Sequence, residues 1–205
     1  MIRKTVLVTI TLAVMLCGGV QAAQVSEDMV KETIVKHSLE MNIDPALALS
    51  IAKKESGFRH ELRSVHGAVG VFQLLPSTAR RMGYNPYYLS ENIKAGLTYY
   101  KMMYKMFGST ELALAAYNAG PGNVRRCGGK IPPYAETKRF VNVIMQDYNA
   151  QKRNPDPTIA KVKKQKTINL PENETNVLKA PNDFELPFLN EIPELKNSDP
   201  VMEIL

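Results

Sequence analysis

Apolar residues recur every three or four positions over much of this chain, which is the spacing of amphipathic helices. A first helix is predicted to begin at Ser26, because serine can cap a helix N-terminus and two acidic residues follow it. The apolar side of this helix is made by Val30, Ile34, His37 and Met41. The pattern therefore predicts a helix with one side facing a core.

A second helix is predicted from the pair Asp44 and Pro45, with aspartate as the N-cap and proline at the first helical position. It continues through an apolar run to Ser56, and Gly57 can end it. Residues 58–75 contain two glycines and no sustained period, which indicates a loop with a short hairpin.

The remaining pattern predicts more helices. A short one follows Pro76, a long one is capped by Ser90 and ends at Phe107, and an alanine-rich one spans residues 110–119. A glycine-proline-glycine break follows, and a last helix covers residues 134–148. The expected fold class is mainly α, with about six helices, one irregular or hairpin segment, and no parallel sheet.

The two ends of the chain differ in composition from its middle. Residues 1–23 have a basic start, an apolar run too short for a membrane anchor, and small residues at the end, which is typical of a secretory signal peptide. Residues 24–150 are predicted to form the single folded domain of the chain. Residues 151–205 hold seven of the 13 prolines and no tyrosine. They are predicted to be an extended or disordered tail, either solvated without a role or a partner-docking segment.

Charge and cysteine content exclude little. Residues 24–150 have 16 Lys and Arg against 11 Asp and Glu, which suits a polyanionic partner. Nucleic acid is disfavoured because these basic residues are scattered and the chain carries a leader. Removal of the leader leaves Cys127, so no disulfide is expected. The three histidines lack metal-ligand spacing, and neither a metal nor a cofactor is predicted.

Glu55 is the candidate for chemistry. It ends the apolar run of the second helix, where a partly desolvated carboxyl has a raised pKa and can donate a proton near neutral pH. A solvated helix-end charge is the alternative for this residue taken alone. Three downstream stretches change that balance, at residues 64–79, 92–99 and 113–124.

These stretches, with Glu55-Ser56-Gly57-Phe58 and Glu136-Thr137, resemble the signatures of the soluble lytic transglycosylases in order and spacing over residues 30–148. The resemblance implies a goose-lysozyme-like helical fold and cleavage of the β-1,4 bond between N-acetylmuramic acid and N-acetylglucosamine. It also implies that Glu55 is the single catalytic acid and that a muramoyl 6-hydroxyl, rather than water, attacks the sugar carbon.

Roles for five further residues follow from the same resemblance. Ser64 would bind near the N-acetyl group, and Gln73 would orient sugar amides or hydroxyls. Tyr117 and Asn118 would line the floor beside the acid, and Glu136 would steady that floor. Two of these residues have structural alternatives, a turn hydrogen bond for Gln73 and a core position for Tyr117.

The chain departs from the family pattern at three positions: Phe72 and Leu75 replace methionines, and Phe140 replaces a tyrosine. The functional expectation is a periplasmic, monomeric enzyme acting on peptidoglycan strands, with a hypothesised link to a secretion, conjugation or pilus apparatus through the tail. A muramidase using water and a non-catalytic wall-binding scaffold remain the alternatives.

Overall fold

The computed structural model describes residues 25–168, which form helices joined by turns and one longer irregular segment. The helices are α1 (Glu27–Glu40), α2 (Pro45–Ser56), α3 (Pro76–Arg81), α4 (Leu89–Phe107), α5 (Thr110–Ala119), α6 (Pro121–Arg126), α7 (Ala135–Arg153) and α8 (Pro157–Ile168). In the described range, β-structure is limited to two isolated antiparallel bridges, Arg63 to Val69 and Val69 to Leu74. The prediction of a mainly α fold with an irregular segment is confirmed. The predicted signal peptide lies outside the described residues.

The ends of α1 and α2 follow from local chemistry. The Ser26 hydroxyl accepts a hydrogen bond from the Met29 backbone N–H at 3.2 Å, and Asp44 accepts one from the Ala46 N–H at 2.9 Å. Gly57 has φ +59°, a left-handed conformation that ends α2 and that glycine adopts without strain. All three predicted helix ends are confirmed.

The predicted cap of α4 is wrong. The helix begins at Leu89, and its N-cap is Tyr88, which makes no side-chain capping bond. The Ser90 hydroxyl instead lies 2.8 Å from His37 Nε2, while His37 Nδ1 lies 2.8 Å from a carboxylate oxygen of Glu40. Because this contact joins residues far apart in sequence, Ser90 ties α4 to α1 and does not cap its own helix.

The helix count is also higher than predicted, because a six-residue helix follows the break after α5. Gly120 has φ +82°, and Pro121 occupies the first position of α6. Proline suits that position because its missing N–H would be unpaired there in any case. The glycine-proline pair therefore ends one helix and starts another.

The core is built around α5. Its alanines allow close approach, and α4, α6 and α7 all pack on it. Helix α2 packs against α7 and α1. The buried residues of α5 include Ala113, Leu114, Ala115 and Ala116. This arrangement brings the C-terminal ends of α2 and α5 and the start of α7 to one place.

The irregular segment is fixed to α4 by two close contacts. A Cβ on Gly96 would lie 2.2 Å from the Phe72 ring, so this helix position accepts only glycine without displacement of the ring. Asn92 accepts a hydrogen bond from the Phe72 N–H at 3.0 Å and donates to the Val69 and Pro86 carbonyls. The segment is therefore ordered although it has no regular secondary structure.

The predicted boundary at residue 150 is wrong for residues 151–168. Helix α7 continues to Arg153, and α8 packs on α1 with Ile159 and Val162 buried. Between them, Asp156 pairs with Lys31 of α1 at 3.3 Å. The two apolar side chains lie three residues apart, on one helix face, among lysines, so the composition of the segment obscured them. Residues 169–205 of the predicted tail lie outside the described range.

Candidate active site

Glu55 lies in the last turn of α2 and is buried, with 6% of its surface exposed. Neither carboxyl oxygen has a hydrogen-bond partner among the described residues. Burial raises the pKa of Glu55 from 4.5 to about 8, because the charged form loses its hydration; the Lys54 charge lowers this pKa, and the Glu136 charge raises it. The group is therefore mostly protonated at neutral pH, as an acid catalyst requires.

Tyr117 lies on α5 with 1% of its surface exposed. Its hydroxyl donates to the Phe72 carbonyl at 2.9 Å, and its ring makes an edge contact with Tyr99 at 5.1 Å and stacks on Phe140 at 6.5 Å. Burial, and then the negative charge of Glu55, raise the pKa of Tyr117 well above its usual value. Tyr117 is thus both a core residue and a close electrostatic neighbour of Glu55.

Asn118 follows Tyr117 and is also buried. Its Oδ1 accepts a hydrogen bond from the Thr137 hydroxyl at 2.7 Å. Its Nδ2 is covered from solvent and has no partner among the described residues. The bond from Thr137 fixes which way the amide faces, so Asn118 offers an oriented N–H donor that protein groups leave unused.

Gln73 braces the irregular segment. Its backbone has φ +44°, and its Nε2 donates to the Gly70 carbonyl at 2.8 Å and to the Leu62 carbonyl at 3.3 Å. The side chain is 1% exposed. This geometry matches the structural alternative for Gln73, and its role toward a sugar stays a prediction.

Ser64 lies in the same segment and is partly exposed. Its hydroxyl oxygen accepts a hydrogen bond from the Ala68 N–H at 2.9 Å, and its own N–H donates to the Ala68 carbonyl at 2.9 Å. Accepting a bond uses a lone pair and leaves the hydroxyl proton available for a ligand. The Leu62 carbonyl that Gln73 contacts is two residues away, so Ser64 and Gln73 belong to one braced turn.

Glu136 is the second residue of α7 and is exposed. It acts on Glu55 through charge, since it raises the pKa of Glu55. The contact that steadies the floor comes from the next residue, because Thr137 holds Asn118. Of the six predicted site residues, Glu55, Tyr117 and Glu136 are linked electrostatically and Asn118 adjoins them, while Ser64 and Gln73 form the neighbouring turn.

Three further groups contribute to this site without having been predicted from the sequence: Thr137, Lys54 and the Phe72 carbonyl. Thr137 stands within a matched stretch and could have been tested as a partner for a buried amide. Lys54 directly precedes Glu55, so an effect of its charge on the Glu55 pKa could have been predicted from the sequence. The Phe72 carbonyl, which accepts from Tyr117, has no sequence signal because it is a backbone atom.

The described residues contain no group of three or more His, Cys, Asp or Glu side chains arranged to hold a metal ion. Cys127, the cysteine within this range, is a half-buried free thiol. Among helices α1–α8, none has the length and apolar character needed to span a bilayer.

Comparison with known proteins decides the family. A model of the transglycosylase SLT domain matches residues 32–139, which is more than half of the chain. The chain belongs to the transglycosylase SLT domain family. The resemblance inferred from the signatures is therefore confirmed. The match covers α2 through α6 in full, together with most of α1 and the start of α7, where the site residues lie.

Curated relatives are 31–34% identical to this chain over the aligned part of each sequence. The soluble lytic murein transglycosylase of Salmonella typhimurium LT2 is 31% identical over 141 residues, which are 57% of this chain and 22% of the relative. That of Escherichia coli K12 is 34% identical over 130 residues, 51% and 20% of the two chains. The transglycosylase of phage PRD1 is 31% identical over 129 residues, 62% and 46%. The matched part spans about a fifth of the two bacterial relatives.

Solved structures support the fold. The 70 kDa soluble lytic transglycosylase of Escherichia coli superposes with a TM-score of 0.53 at 27% identity, covering 62% of this chain and 25% of that one. An inactive mutant of Pseudomonas aeruginosa Slt, in which glutamine replaces a glutamate, gives a TM-score of 0.54 at 26% identity, with the same coverage of each chain. The predicted lysozyme-like helical fold is confirmed.

Proposed function

We propose that this chain is a peptidoglycan lytic transglycosylase that cleaves the β-1,4 bond between N-acetylmuramic acid and N-acetylglucosamine and leaves 1,6-anhydromuramoyl ends. The observation that carries the proposal is the state of Glu55. Its carboxyl is buried, has a pKa of about 8 and has no hydrogen-bond partner among the described residues, so it can donate a proton at neutral pH. The family model and the curated relatives, which are lytic transglycosylases, support the same function.

In the first half of the reaction, Glu55 donates its proton to the glycosidic oxygen. The bond from that oxygen to the muramoyl C1 breaks, the N-acetylglucosamine leaves as an alcohol, and an oxocarbenium-like centre develops at C1. The burial of Glu55 supplies the protonated acid at neutral pH. The oriented Asn118 amide and the Ser64 hydroxyl are the protein donors proposed to hold the reacting sugar.

In the second half, the muramoyl 6-hydroxyl attacks C1 and forms the anhydro bond. Its proton passes to Glu55, which is ionised at this stage and so returns to its starting state. No water is consumed, and the same side chain serves as acid and then as base. Tyr117, held by the Phe72 carbonyl, would fix the floor against which the acid is positioned.

Access to the acid requires movement. Both Glu55 oxygens are covered from solvent. A sugar oxygen can therefore reach them only when neighbouring side chains shift. Glu55 would then exchange its unpaired state for a hydrogen bond to substrate, which favours binding because a buried polar group without a partner is costly.

A hydrolase is the second candidate, and Glu136 is the observation that favours it. A muramidase needs a second carboxylate to activate water. Glu136 is exposed and close enough to act on the charge state of Glu55. If Glu136 activates water, the product carries a reducing muramic end, and Glu136→Gln removes that product.

Mass spectrometry of wall digests tests both candidates. We expect anhydromuramoyl ends from the wild type and from Glu136→Gln, and at least about 100-fold slower release from Glu55→Gln, the scale of a lost general acid. Reducing ends would contradict the lyase proposal. Unchanged release by Glu55→Gln would remove Glu55 from the mechanism. If the wild type and Glu55→Gln both release no product and both still bind wall sacculi, the chain is a non-catalytic scaffold.

Export to the periplasm, a monomeric state and service to a secretion, conjugation or pilus apparatus extend the proposal. The basic and apolar start of the sequence motivates export. The apparatus role rests on the segment beyond the matched domain. Because α8 packs on α1, the deletion that tests this role must begin after Ile168. We expect the shortened enzyme to digest purified wall normally and to fail only in the apparatus; loss of digestion would contradict this.

A further inference from the structure

Lys54, the residue before the acid, is held close to the site by an aromatic ring. Its ammonium lies over the Phe140 ring, 5.3 Å from the ring centre, and the side chain is half-buried. Phe140 is buried and stacks on Tyr117. The attraction between a cation and an aromatic face keeps the ammonium beside α7 instead of extended into water.

The reaction creates a need for a positive charge at this point. After Glu55 has given up its proton, a carboxylate remains in a buried place where the described residues supply no hydrogen bond. Such a charge is costly unless another charge or donor compensates it. Within residues 25–168, the charges that act on Glu55 are those of Lys54, which opposes its protonation, and of Glu136, which favours it.

The other charged groups near α2 either have partners of their own or are exposed, as Lys138 and Arg139 of α7 are. On α1, the Lys31 ammonium lies 4.9 Å from the centre of the Phe58 ring and pairs with Glu27 at 2.7 Å and Asp156 at 3.3 Å. On α2 itself, Lys53 pairs with a carboxylate of α7, Asp147. On α5, the titratable group facing the acid is the Tyr117 hydroxyl, which is neutral.

The charges of the irregular segment lie outward, at exposed or half-exposed positions. These residues are Arg59, His60, Glu61, Arg63 and His66.

We propose that Lys54 is a positioning residue for the reaction: the Phe140 ring holds its ammonium beside Glu55, where it stabilises the carboxylate formed after proton donation until that carboxylate recovers a proton. The inference rests on the proposed function for its use in catalysis; its physical core is the position of the Lys54 ammonium, which lies over the Phe140 ring that stacks on Tyr117 and belongs to the residue next to Glu55.

The direct test is an NMR titration of carboxyl-labelled glutamate, with the Glu55 signal assigned by its absence in Glu55→Gln. In Lys54→Met, we expect the midpoint to move to higher pH by about half a unit, the scale of one partly solvated charge, because a positive charge that favours the carboxylate is removed. Lys54→Arg keeps the charge and should keep the midpoint. Lys53→Met is the matched control and should also leave it unchanged.

Phe140→Leu tests the ring, since it removes the aromatic face and leaves an apolar side chain. Its midpoint should move in the same direction as in Lys54→Met, because the freed ammonium can extend into water. A Glu55 midpoint that Lys54→Met leaves unchanged would overturn the inference, as would an equal shift in Lys53→Met. An unchanged Glu55 midpoint in Phe140→Leu would overturn the part of the inference in which the ring holds the Lys54 ammonium.

Kinetics give a second readout. The alkaline limb of kcat/KM reports the loss of the protonated acid, so it should move to higher pH in Lys54→Met and stay in place in Lys54→Arg. A purely structural role would lower the rate at every pH without moving the limb. If the NMR midpoint shifts while digests show reducing ends, the inference about Lys54 holds and the lyase proposal fails.

Discussion

Replacement of the buried acid should stabilise this protein while it abolishes activity. Glu55 has a pKa of about 8 in the folded chain and an ordinary value of 4.5 when exposed. The folded state therefore holds a proton that the unfolded chain has released over this range. Since the folded pKa is the higher one, the stability is fully present below about pH 4.5 and declines as the pH rises toward 8.

The size of the effect follows from the two pKa values. Each pKa unit corresponds to about 1.4 kcal/mol, so the free energy of unfolding falls by about 3 kcal/mol between pH 5 and pH 8 on account of Glu55 alone. Glutamine has nearly the same shape and cannot ionise. Glu55→Gln should therefore match the wild type at pH 5 and exceed it by about 3 kcal/mol at pH 8.

Urea unfolding of both proteins at intervals from pH 5 to pH 8 measures this difference. Other titrating groups are common to the two proteins and cancel in the comparison. Glu61→Gln, at an exposed position in the irregular segment, controls for the loss of a glutamate. A stability gap between wild type and Glu55→Gln that does not change with pH would refute the assignment of Glu55 as a buried, protonated acid.

Two further predictions concern packing and orientation. Gly96→Ala should lower the free energy of unfolding by about 2–3 kcal/mol, because the new Cβ would overlap the Phe72 ring. Gly122→Ala is the control in the same urea unfolding assay. Its Cβ would come no closer than 3.6 Å to another side chain, so this variant should be neutral or slightly more stable. A neutral Gly96→Ala would mean that the irregular segment can move away from α4. Thr137→Val should lower the free energy of unfolding by about 1–3 kcal/mol and lower kcat/KM, because the Asn118 amide loses its buried hydrogen-bond partner. Thr137→Ser keeps the hydroxyl and should keep both the stability and kcat/KM. An equal loss in Thr137→Ser would show that the hydroxyl is not the cause.

Local chemistry predicted the helix ends that depend on neighbours in sequence. Ser26, Asp44 and Gly57 act within a few residues of their own positions, and all three behave as predicted. Ser90 does not, because its hydroxyl meets a histidine 53 residues away. Helix α8 was missed for the same kind of reason: two apolar side chains among lysines acquire meaning only when α1 lies beside them.

The candidate site divides along the same line. The signatures predicted roles for Glu55 and Tyr117, and the structure shows both side chains buried and electrostatically coupled. They did not reveal that the Gln73 amide nitrogen is already bonded to backbone carbonyls, or that Thr137 orients Asn118. Those facts depend on distances between segments, which a one-dimensional pattern does not contain. Residue types limit the reactions that a site can catalyse. The fold determines which of their polar atoms have no protein partner and can bind a ligand.

Burial of the Glu55 carboxyl is unfavourable at neutral and alkaline pH, so other contacts must hold this residue in its buried position. The Ser56 hydroxyl, next to the acid, contacts the carbonyls of Val71 at 2.9 Å and Ala52 at 3.3 Å, which joins the end of α2 to the irregular segment. Six residues earlier in α2, Ser50 donates to Asp147 of α7 at 2.8 Å. These bonds fix the backbone that carries Glu55 on two sides while leaving its carboxyl unpaired. Hydrogen bonds donated by the protein to the Glu55 carboxyl would stabilise its anion and lower its pKa. Glu55 would then be ionised at neutral pH and could not act as an acid.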